Sequence, residues 1–262
     1  MMRISTLLLL ATISTSESSY AQTHLPQAQL ESSSSSSSGT PSECIILLHG
    51  LARTSKSMIP LSEQLHNQGF LVVNVDYPSR EFPIAILAEK AIAPALENCR
   101  QYPISGIHFV THSLGGILVR QYLSQHQIPE LKRVVMLAPP NKGSQVVDNL
   151  RDVAPYNWLN GPTGKELGTD ANSVPNTLGA VDFDLGVIAG TVSINLLLSM
   201  YLPDPDDGKV SMENTKIEGM RDFISLPVSH PYIMKDIEAI AQTILFLRHG
   251  QFLHTTSLTH EK

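Results

Sequence analysis

Positive charge is scarce in this sequence of 262 residues. Lysine and arginine together number 18, against 24 aspartate and glutamate residues, and the formal net charge is −6. No long block of lysines and arginines occurs along the chain. A nucleic-acid partner or a polybasic membrane anchor therefore has no electrostatic support.

Cysteine is also rare, with Cys44 and Cys99 as the two copies. Their spacing fits no zinc site, and we expect no bound metal. An oxidising compartment would allow a disulfide between them. We predict that disulfide, with two buried free thiols as the alternative.

The chain lacks an N-terminal apolar run long enough to span a bilayer, which takes about 20 residues. Ile4–Ile13 is shorter, follows the positive Arg3, and precedes small residues at Ser19 and Ala21. This pattern predicts an export signal over residues 1–21, and hence a periplasmic or secreted protein. A disordered tail with a chance apolar patch is the alternative.

The next segment, residues 22–42, is rich in serine and includes seven consecutive serines at Ser32–Ser38. Such a segment cannot bury enough surface to fold, so we interpret it as a linker. Over the whole sequence, 42% of the residues are hydrophobic and 16% are charged, which is enough apolar material for one folded domain in the remaining chain. We place that domain at residues 43–250 and a tail at 251–262.

Within the domain, short apolar runs alternate with segments of helical periodicity. Such runs are typical of strands that are covered on both faces, as in parallel sheets. The predicted strands are Cys44–Leu48, Leu71–Val75, Ile107–Thr111, Arg133–Ala138, Leu185–Ala189 and Asp222–Leu226. The pattern predicts an α/β fold with a mostly parallel sheet of about six strands flanked by helices.

Two stretches interrupt this alternation, residues 141–183 and residues 191–205. The first is rich in Gly, Pro and Asn, and the second contains an apolar piece at Ile194–Leu202. Loops of this length are usually functional or carry extra elements. We interpret both as cap insertions over the site, with ordinary surface loops as the alternative.

The strongest local motif is the run from Thr111 to Gly116, with sequence THSLGG. A serine at a sharp turn between a strand and a helix presents its hydroxyl above the sheet as a nucleophile. Ser113 occupies this position. Alone, the serine could instead be a helix N-cap.

The first strand ends in His49-Gly50-Leu51. Acyl transfer needs two backbone N–H groups directed at the carbonyl oxygen that becomes negative. We predict that Leu51 and Leu114 supply this oxyanion hole. His49 and His112 adjoin these donors, and we interpret both as residues that shape the site.

A serine nucleophile needs a base, and the base needs an orienting acid. Asp207 follows the fifth strand and His230 follows the sixth, so the chain order is Ser, Asp, His. Each residue lies after a strand's carboxyl end, where α/β sheets place their sites. The alternatives are a turn-forming Asp-Gly and a loop histidine.

Asp206 is the rival of Asp207 for the role of acid. Asp204, Asp206 and Asp207 could together hold calcium through their carboxylates. We favour a solvated acidic turn over a calcium site.

Taken together, the motifs resemble those of bacterial lipases and esterases of the α/β-hydrolase superfamily, near the group with triacylglycerol lipases and PGAP1-like hydrolases. The matching pieces are Leu47–Leu51, Val110–Gly116, Asp207–Ser211 and His230. The resemblance implies that Asp207 is the acid, and that the fold is similar to smaller members that lack the first two strands. Thr111 departs from the glycine that is usual two residues before the serine.

The predicted function is therefore a serine hydrolase that cleaves carboxylic esters without a cofactor. The substrate is a small-molecule or lipid ester, with transient contact at a lipid interface, and the protein is expected to be a monomer. An acyltransferase, an amidase or peptidase, and a non-catalytic binding protein of the same fold remain as alternatives.

Overall fold

The computed structural model describes residues 43–254, without the side chains of residues 156–159. The predicted signal at 1–21, the linker at 22–42 and the tail from 255 onwards lie outside the described residues. Across residues 43–254, no helix combines the length and the hydropathy that crossing a membrane would need.

The structure confirms the predicted α/β class. The strands are β1 (Cys44–Leu48), β2 (Leu71–Val75), β3 (Ile107–His112), β4 (Leu131–Leu137), β5 (Leu185–Gly190) and β6 (Asp222–Leu226). The helices of the described chain are α1 (Ile59–Asn67), α2 (Ile84–Arg100), α3 (Leu114–Leu123), α4 (Gln145–Leu150), α5 (Ala154–Lys165, interrupted at Gly161), α6 (Val174–Thr177), α7 (Leu196–Ser199), α8 (Met212–Thr215) and α9 (Ile237–His249). Short 3-10 turns cover Ser55–Met58 and Ile233–Lys235.

All six strands are parallel and lie in the order β2-β1-β3-β4-β5-β6. From β1, the chain places β2 on one side in the sheet and then β3 to β6 on the other side, so the strand order changes direction between β1 and β3. In open α/β sheets, ligands bind outside the carboxyl ends of the strands at such a reversal. The loop after β1 and the turn after β3 therefore meet at the edge where a site is expected.

Helices cover both faces of the sheet, and β1 shows why its sequence is continuously apolar. Ile46 and Leu48 pack into one core cluster with α2 and α3. Ile45 and Leu47 pack into a second cluster with α1 and α9. Successive side chains of a strand point to opposite faces, so a strand covered on both sides needs apolar residues at every position.

The two cysteines join the sheet to one of these helices. Cys44 of β1 and Cys99 of α2 are both buried, and the structure bonds them in a disulfide across a sequence separation of 55 residues. The disulfide covalently ties an inner strand to the helix that covers it.

Several strand boundaries differ from the predicted ones. β4 begins at Leu131 rather than Arg133, because Leu131 pairs with Ile107 across a register shift. It ends at Leu137 because Ala138 adopts a left-handed φ of 50°. β3 and β5 each continue one residue further than predicted, to His112 and Gly190.

The predicted start of the C-terminal tail at residue 251 is wrong. Phe252 is buried against Phe246 with ring centroids 4.9 Å apart. The Phe252 N–H donates to Asp222 Oδ2 at 2.7 Å, and the Leu253 N–H donates to Gln242 Oε1 at 2.8 Å. The packed chain therefore extends past α9, because an aromatic residue fills space beside the last strand.

The insertion at 141–183 contains α4, α5 and α6 and is anchored to α3 by Arg120. This buried guanidinium donates to the carbonyl oxygens of Asn141 at 3.0 Å, Pro175 at 2.9 Å and Gly179 at 2.8 Å. Burial lowers the pKa of Arg120 to about 10, so the side chain stays charged at neutral pH. One cation thus satisfies three carbonyl groups of the insertion.

We expect Arg120→Met to lower the free energy of unfolding by about 3 kcal/mol or more, because it leaves buried carbonyls without donors. Urea denaturation followed by circular dichroism measures the change. Arg248→Met is the matched control, since Arg248 is exposed and donates to Gln68 at the surface. Its effect should stay within about 0.5 kcal/mol. Equal losses in the two variants would contradict the anchoring role.

Candidate active site

Ser113 lies at the turn between β3 and α3 with φ 51° and ψ −117°. A non-glycine residue with positive φ is held there only when its surroundings demand it, at a cost of about 1–3 kcal/mol. The Ser113 N–H donates to the Leu137 carbonyl at 2.9 Å, which ties the turn to β4. The side chain makes no capping hydrogen bond to α3, so the N-cap alternative does not describe this serine.

The turn depends on close approaches that only small residues permit. An added Cβ at Gly115 would lie 2.6 Å from the Leu48 carbonyl oxygen, and one at Gly50 would lie 2.7 Å from His112 Nδ1. Thr111, where glycine is usual, is fully buried in β3. The strand accommodates its side chain, and Ser113 two residues later adopts a left-handed φ of 51°.

The structure brings together the three side chains that the sequence predicts as a triad. His230 Nε2 lies 3.1 Å from Ser113 Oγ, and His230 Nδ1 lies 2.7 Å from Asp207 Oδ2. Asp207 Oδ1 accepts hydrogen bonds from the N–H groups of Lys209 at 3.0 Å and Val210 at 2.9 Å. Both carboxylate oxygens of Asp207 are therefore occupied, and its orientation is fixed by backbone donors.

Asp206, the rival acid, bonds elsewhere. Its Oδ1 accepts from Ser199 Oγ at 2.8 Å and from the Gly208 N–H at 2.6 Å. The predicted solvated acidic turn is wrong for this pair, because Asp206 and Asp207 are buried and only Asp204 is exposed. Among residues 43–254, no group of three or more His, Cys, Asp or Glu side chains is arranged to hold a metal.

His112 holds the backbone of His230, the predicted base. Its Nε2 lies 3.0 Å from the carbonyl oxygen of His230. Burial, the neighbouring His230 and the positive charge of Arg53 keep the pKa of His112 well below its ordinary value. The ring is therefore neutral at pH 7, and its Nε2–H donates to the His230 carbonyl.

His49 organises the loop after β1 together with a residue that the sequence interpretation missed, Tyr77. The two rings stack with centroids 4.0 Å apart, and the Tyr77 hydroxyl donates to the His49 carbonyl. Burial lowers the pKa of His49, and its neutral ring donates from Nδ1 to the Gly50 carbonyl at 2.9 Å. Tyr77 follows β2, so the rule that sites lie at the carboxyl ends of strands could have identified it.

The two predicted oxyanion donors are backbone N–H groups with free hydrogen-bonding capacity. In the loop after β1, the Ala52 N–H donates to Ser79 Oγ at 3.1 Å and the Arg53 N–H donates to the Gly50 carbonyl at 3.3 Å. Within the part of the chain that the structure describes, the N–H groups of Leu51 and Leu114 have no protein acceptor. Their role as an oxyanion hole stays a prediction.

A cavity of about 250 Å³ opens beside Ser113 and His230. The insertion at 141–183 supplies much of its wall, through Ser144, Val146, Val147, Asn160 and Leu167. Arg53 and Lys209, which the sequence interpretation did not single out, also line it. None of the described lining residues comes from the insertion at 191–205, so the cap role of that segment stays a prediction.

Known proteins resemble this chain in fold at low sequence identity. The mature Bacillus licheniformis lipase BlEst2 is 19% identical, with a TM-score of 0.58, and the match covers 80% of this chain and 92% of that one. Phospholipase PlaB from Legionella pneumophila is 18% identical with a TM-score of 0.58, over 77% of this chain and 56% of PlaB. The lin2722 product of Listeria innocua is 17% identical with a TM-score of 0.53, over 81% of this chain and 95% of that one.

No curated protein matches the sequence. The family defined by the alpha/beta hydrolase fold matches residues 43–172, a range that contains the loop after β1, the Ser113 turn and part of the insertion. The six-stranded parallel sheet extends the agreement to the rest of the domain. This chain therefore has the α/β-hydrolase fold.

Proposed function

We propose that the protein is a serine hydrolase that cleaves carboxylic ester bonds through Ser113, His230 and Asp207. The observation that carries the proposal is the continuous hydrogen-bonded series from Ser113 Oγ to His230 Nε2, at 3.1 Å, and from His230 Nδ1 to Asp207 Oδ2, at 2.7 Å. Both distances are within reach of proton transfer.

In the proposed mechanism, His230 removes the hydroxyl proton as Ser113 Oγ attacks the ester carbonyl. Asp207 holds the imidazole with its Nδ1–H directed at the carboxylate and stabilises the imidazolium that forms. The N–H groups of Leu51 and Leu114 stabilise the tetrahedral oxyanion. His230 then gives the proton to the leaving alcohol, and a water activated by His230 hydrolyses the acyl-enzyme.

Esters are favoured over amides by the resemblance of the motifs to lipases and esterases. Two of the similar structures are named a lipase and a phospholipase. An acyltransferase would share every step up to the acyl-enzyme and differ in the alcohol that accepts the acyl group. The strained turn at Ser113 presents the hydroxyl to a substrate, and a non-catalytic binding protein would not need that strain.

The proposed setting is outside the cytoplasm, at or near lipid. The disulfide between Cys44 and Cys99 supports an oxidising compartment. Around α7, Leu196, Leu197 and Met200 are 77%, 75% and 81% exposed, which supports transient contact with a lipid interface.

Labelling with a fluorophosphonate probe tests the proposal. We expect one covalent adduct on Ser113, located by mass spectrometry of peptides, together with hydrolysis of p-nitrophenyl butyrate. Ser113→Ala should lose the adduct and lower turnover by about 10⁴-fold or more. Ser124→Ala, at the exposed far end of α3, is the control and should behave as the unsubstituted protein. An adduct on another residue, or turnover that survives Ser113→Ala, would refute the assignment.

A second pair of variants separates the two candidate acids. Asp207→Asn should lower kcat about 10⁴-fold, because an amide favours the wrong imidazole tautomer. Asp206→Asn should change kcat by about threefold or less, because its oxygen can still accept from Ser199 and Gly208. The two substitutions are isosteric and adjacent, so each controls for the other. A larger loss from Asp206→Asn would assign the acid to that residue.

A further inference from the structure

The cavity beside Ser113 contains two cationic side chains, Arg53 and Lys209. Both are carried by the loops that hold the proposed catalytic groups. The Arg53 N–H donates to the Gly50 carbonyl, and the Lys209 N–H donates to Asp207 Oδ1. Ser144 Oγ donates to the Lys209 carbonyl at 2.6 Å, so the backbone that carries the lysine is also fixed to the cavity wall.

Neither cation is paired directly with an acidic side chain. Within residues 43–254, the ion pairs of arginine and lysine side chains involve neither Arg53 nor Lys209. No described residue that lines the cavity is acidic. Asp76 and Glu81 border an adjoining depression next to Arg53, yet form no ion pair with it. Asp207 is near Lys209, but His230 and backbone N–H groups occupy both of its oxygens.

The two positive charges influence each other and the site. Lys209 is exposed but flanked by protein, and this desolvation lowers the pKa of its ammonium, as does the positive charge of Arg53, whereas the negative charge of Asp207 raises it. Arg53 also contributes to lowering the pKa of His112. Two neighbouring cations without ion-pair partners create a positive local charge in a protein of net charge −6, and this charge attracts an anion.

We propose that Arg53 and Lys209 form an anion subsite, and that the ester cleaved at Ser113 carries a carboxylate or phosphate group close to the scissile bond. This inference rests on the proposed esterase function and narrows its substrate class. A guanidinium offers two parallel donors to a carboxylate or phosphate, and an ammonium adds a point charge.

The dimensions of the cavity support a compact substrate of this kind. Its volume of about 250 Å³ is slightly below the range of roughly 300–1,000 Å³ that is typical of small-molecule pockets. The nucleophile and both cations line the same small space. The anionic group therefore lies within a few bonds of the ester, and apolar residues such as Val146, Leu167 and Val210 contact the carbon chain.

Matched substrate pairs test the proposal and distinguish the two sources of the anion. The first pair is the 4-methylumbelliferyl half-ester of adipate and the corresponding hexanoate, which place a carboxylate or a methyl group at the end of the acyl part. The second pair is butyryl glycerol 3-phosphate and monobutyrin, which differ by a phosphate on the alcohol part. Fluorescence follows the first pair, and titration of released acid follows the second.

We expect kcat/KM to favour the anionic member of at least one pair, and the pair that responds identifies the source of the anion. Arg53→Gln and Lys209→Met should each reduce that preference about tenfold, the loss expected for one hydrogen bond to a charged group. Arg53→Lys and Lys209→Arg should retain part of it. Lys56→Met, an exposed lysine outside the cavity lining, should leave it unchanged.

Two kinetic outcomes would overturn the anion subsite while leaving the esterase in place. One is an absence of preference in both pairs. The other is an equal loss on anionic and neutral esters, which would mean that the cations act on the oxyanion and not on a substrate charge.

A binding measurement keeps the inference testable if no ester is cleaved. Ser113→Ala protein is titrated with adipate and with glycerol 3-phosphate in a calorimeter. We expect binding of at least one anion that weakens with added salt and is lost in the Arg53→Gln/Lys209→Met combination. Anion binding in this variant, combined with the absence of a fluorophosphonate adduct on Ser113 of the unsubstituted protein, would refute the esterase and retain the subsite. An absence of binding, or binding that survives the combination, would refute the subsite.

Discussion

The left-handed backbone at Ser113 is the constraint on which the rest of the site depends. A serine does not adopt a φ of 51° without compensation, and here the compensation comes from the centre of the sheet. β3 lies between β1 and β4, and the serine N–H bonds to the Leu137 carbonyl of β4. The close contacts at Gly50 and Gly115 leave the turn little freedom. The packing that buries apolar surface on both faces of the sheet therefore also holds the Ser113 hydroxyl above the carboxyl ends of the strands.

The proposed acid and the proposed base come from loops, yet backbone hydrogen bonds hold both. The His230 N–H donates to the Asp207 carbonyl at 3.0 Å, so the two loops are joined through their backbones as well as through their side chains. His112, which precedes Ser113, donates to the carbonyl of His230. Each member of the proposed triad is thus connected to the next through a hydrogen bond to a main-chain carbonyl, either that of Asp207 or that of His230. These bonds are separate from the bonds between the side chains of the proposed triad.

Sequence patterns predicted the features that follow from chain direction and periodicity. Continuous apolar runs such as Cys44–Leu48 identified strands because a parallel sheet buries both faces. The order Ser113, Asp207, His230 identified the cluster because parallel strands place their carboxyl ends at one edge. The missed features depend on contacts between distant residues: Phe252 packs on Phe246, and the Tyr77 hydroxyl reaches the His49 carbonyl. A local pattern also predicts that Asp204, Asp206 and Asp207 are solvated, because it contains no information about Ser199, which bonds to Asp206.

Three histidines surround Ser113, and their hydrogen bonds explain why only one is suited to act as the base. His49 donates to the Gly50 carbonyl and stacks on Tyr77, while His112 donates to the carbonyl of His230. Burial lowers the pKa of both rings, so each stays neutral and keeps its single proton on a backbone acceptor. His230 alone directs one nitrogen at the hydroxyl and the other at a carboxylate. The two neighbours therefore shape the backbone without competing for the proton of Ser113. In the proposed mechanism, Asp207 supplies the negative charge that an imidazolium at this position requires.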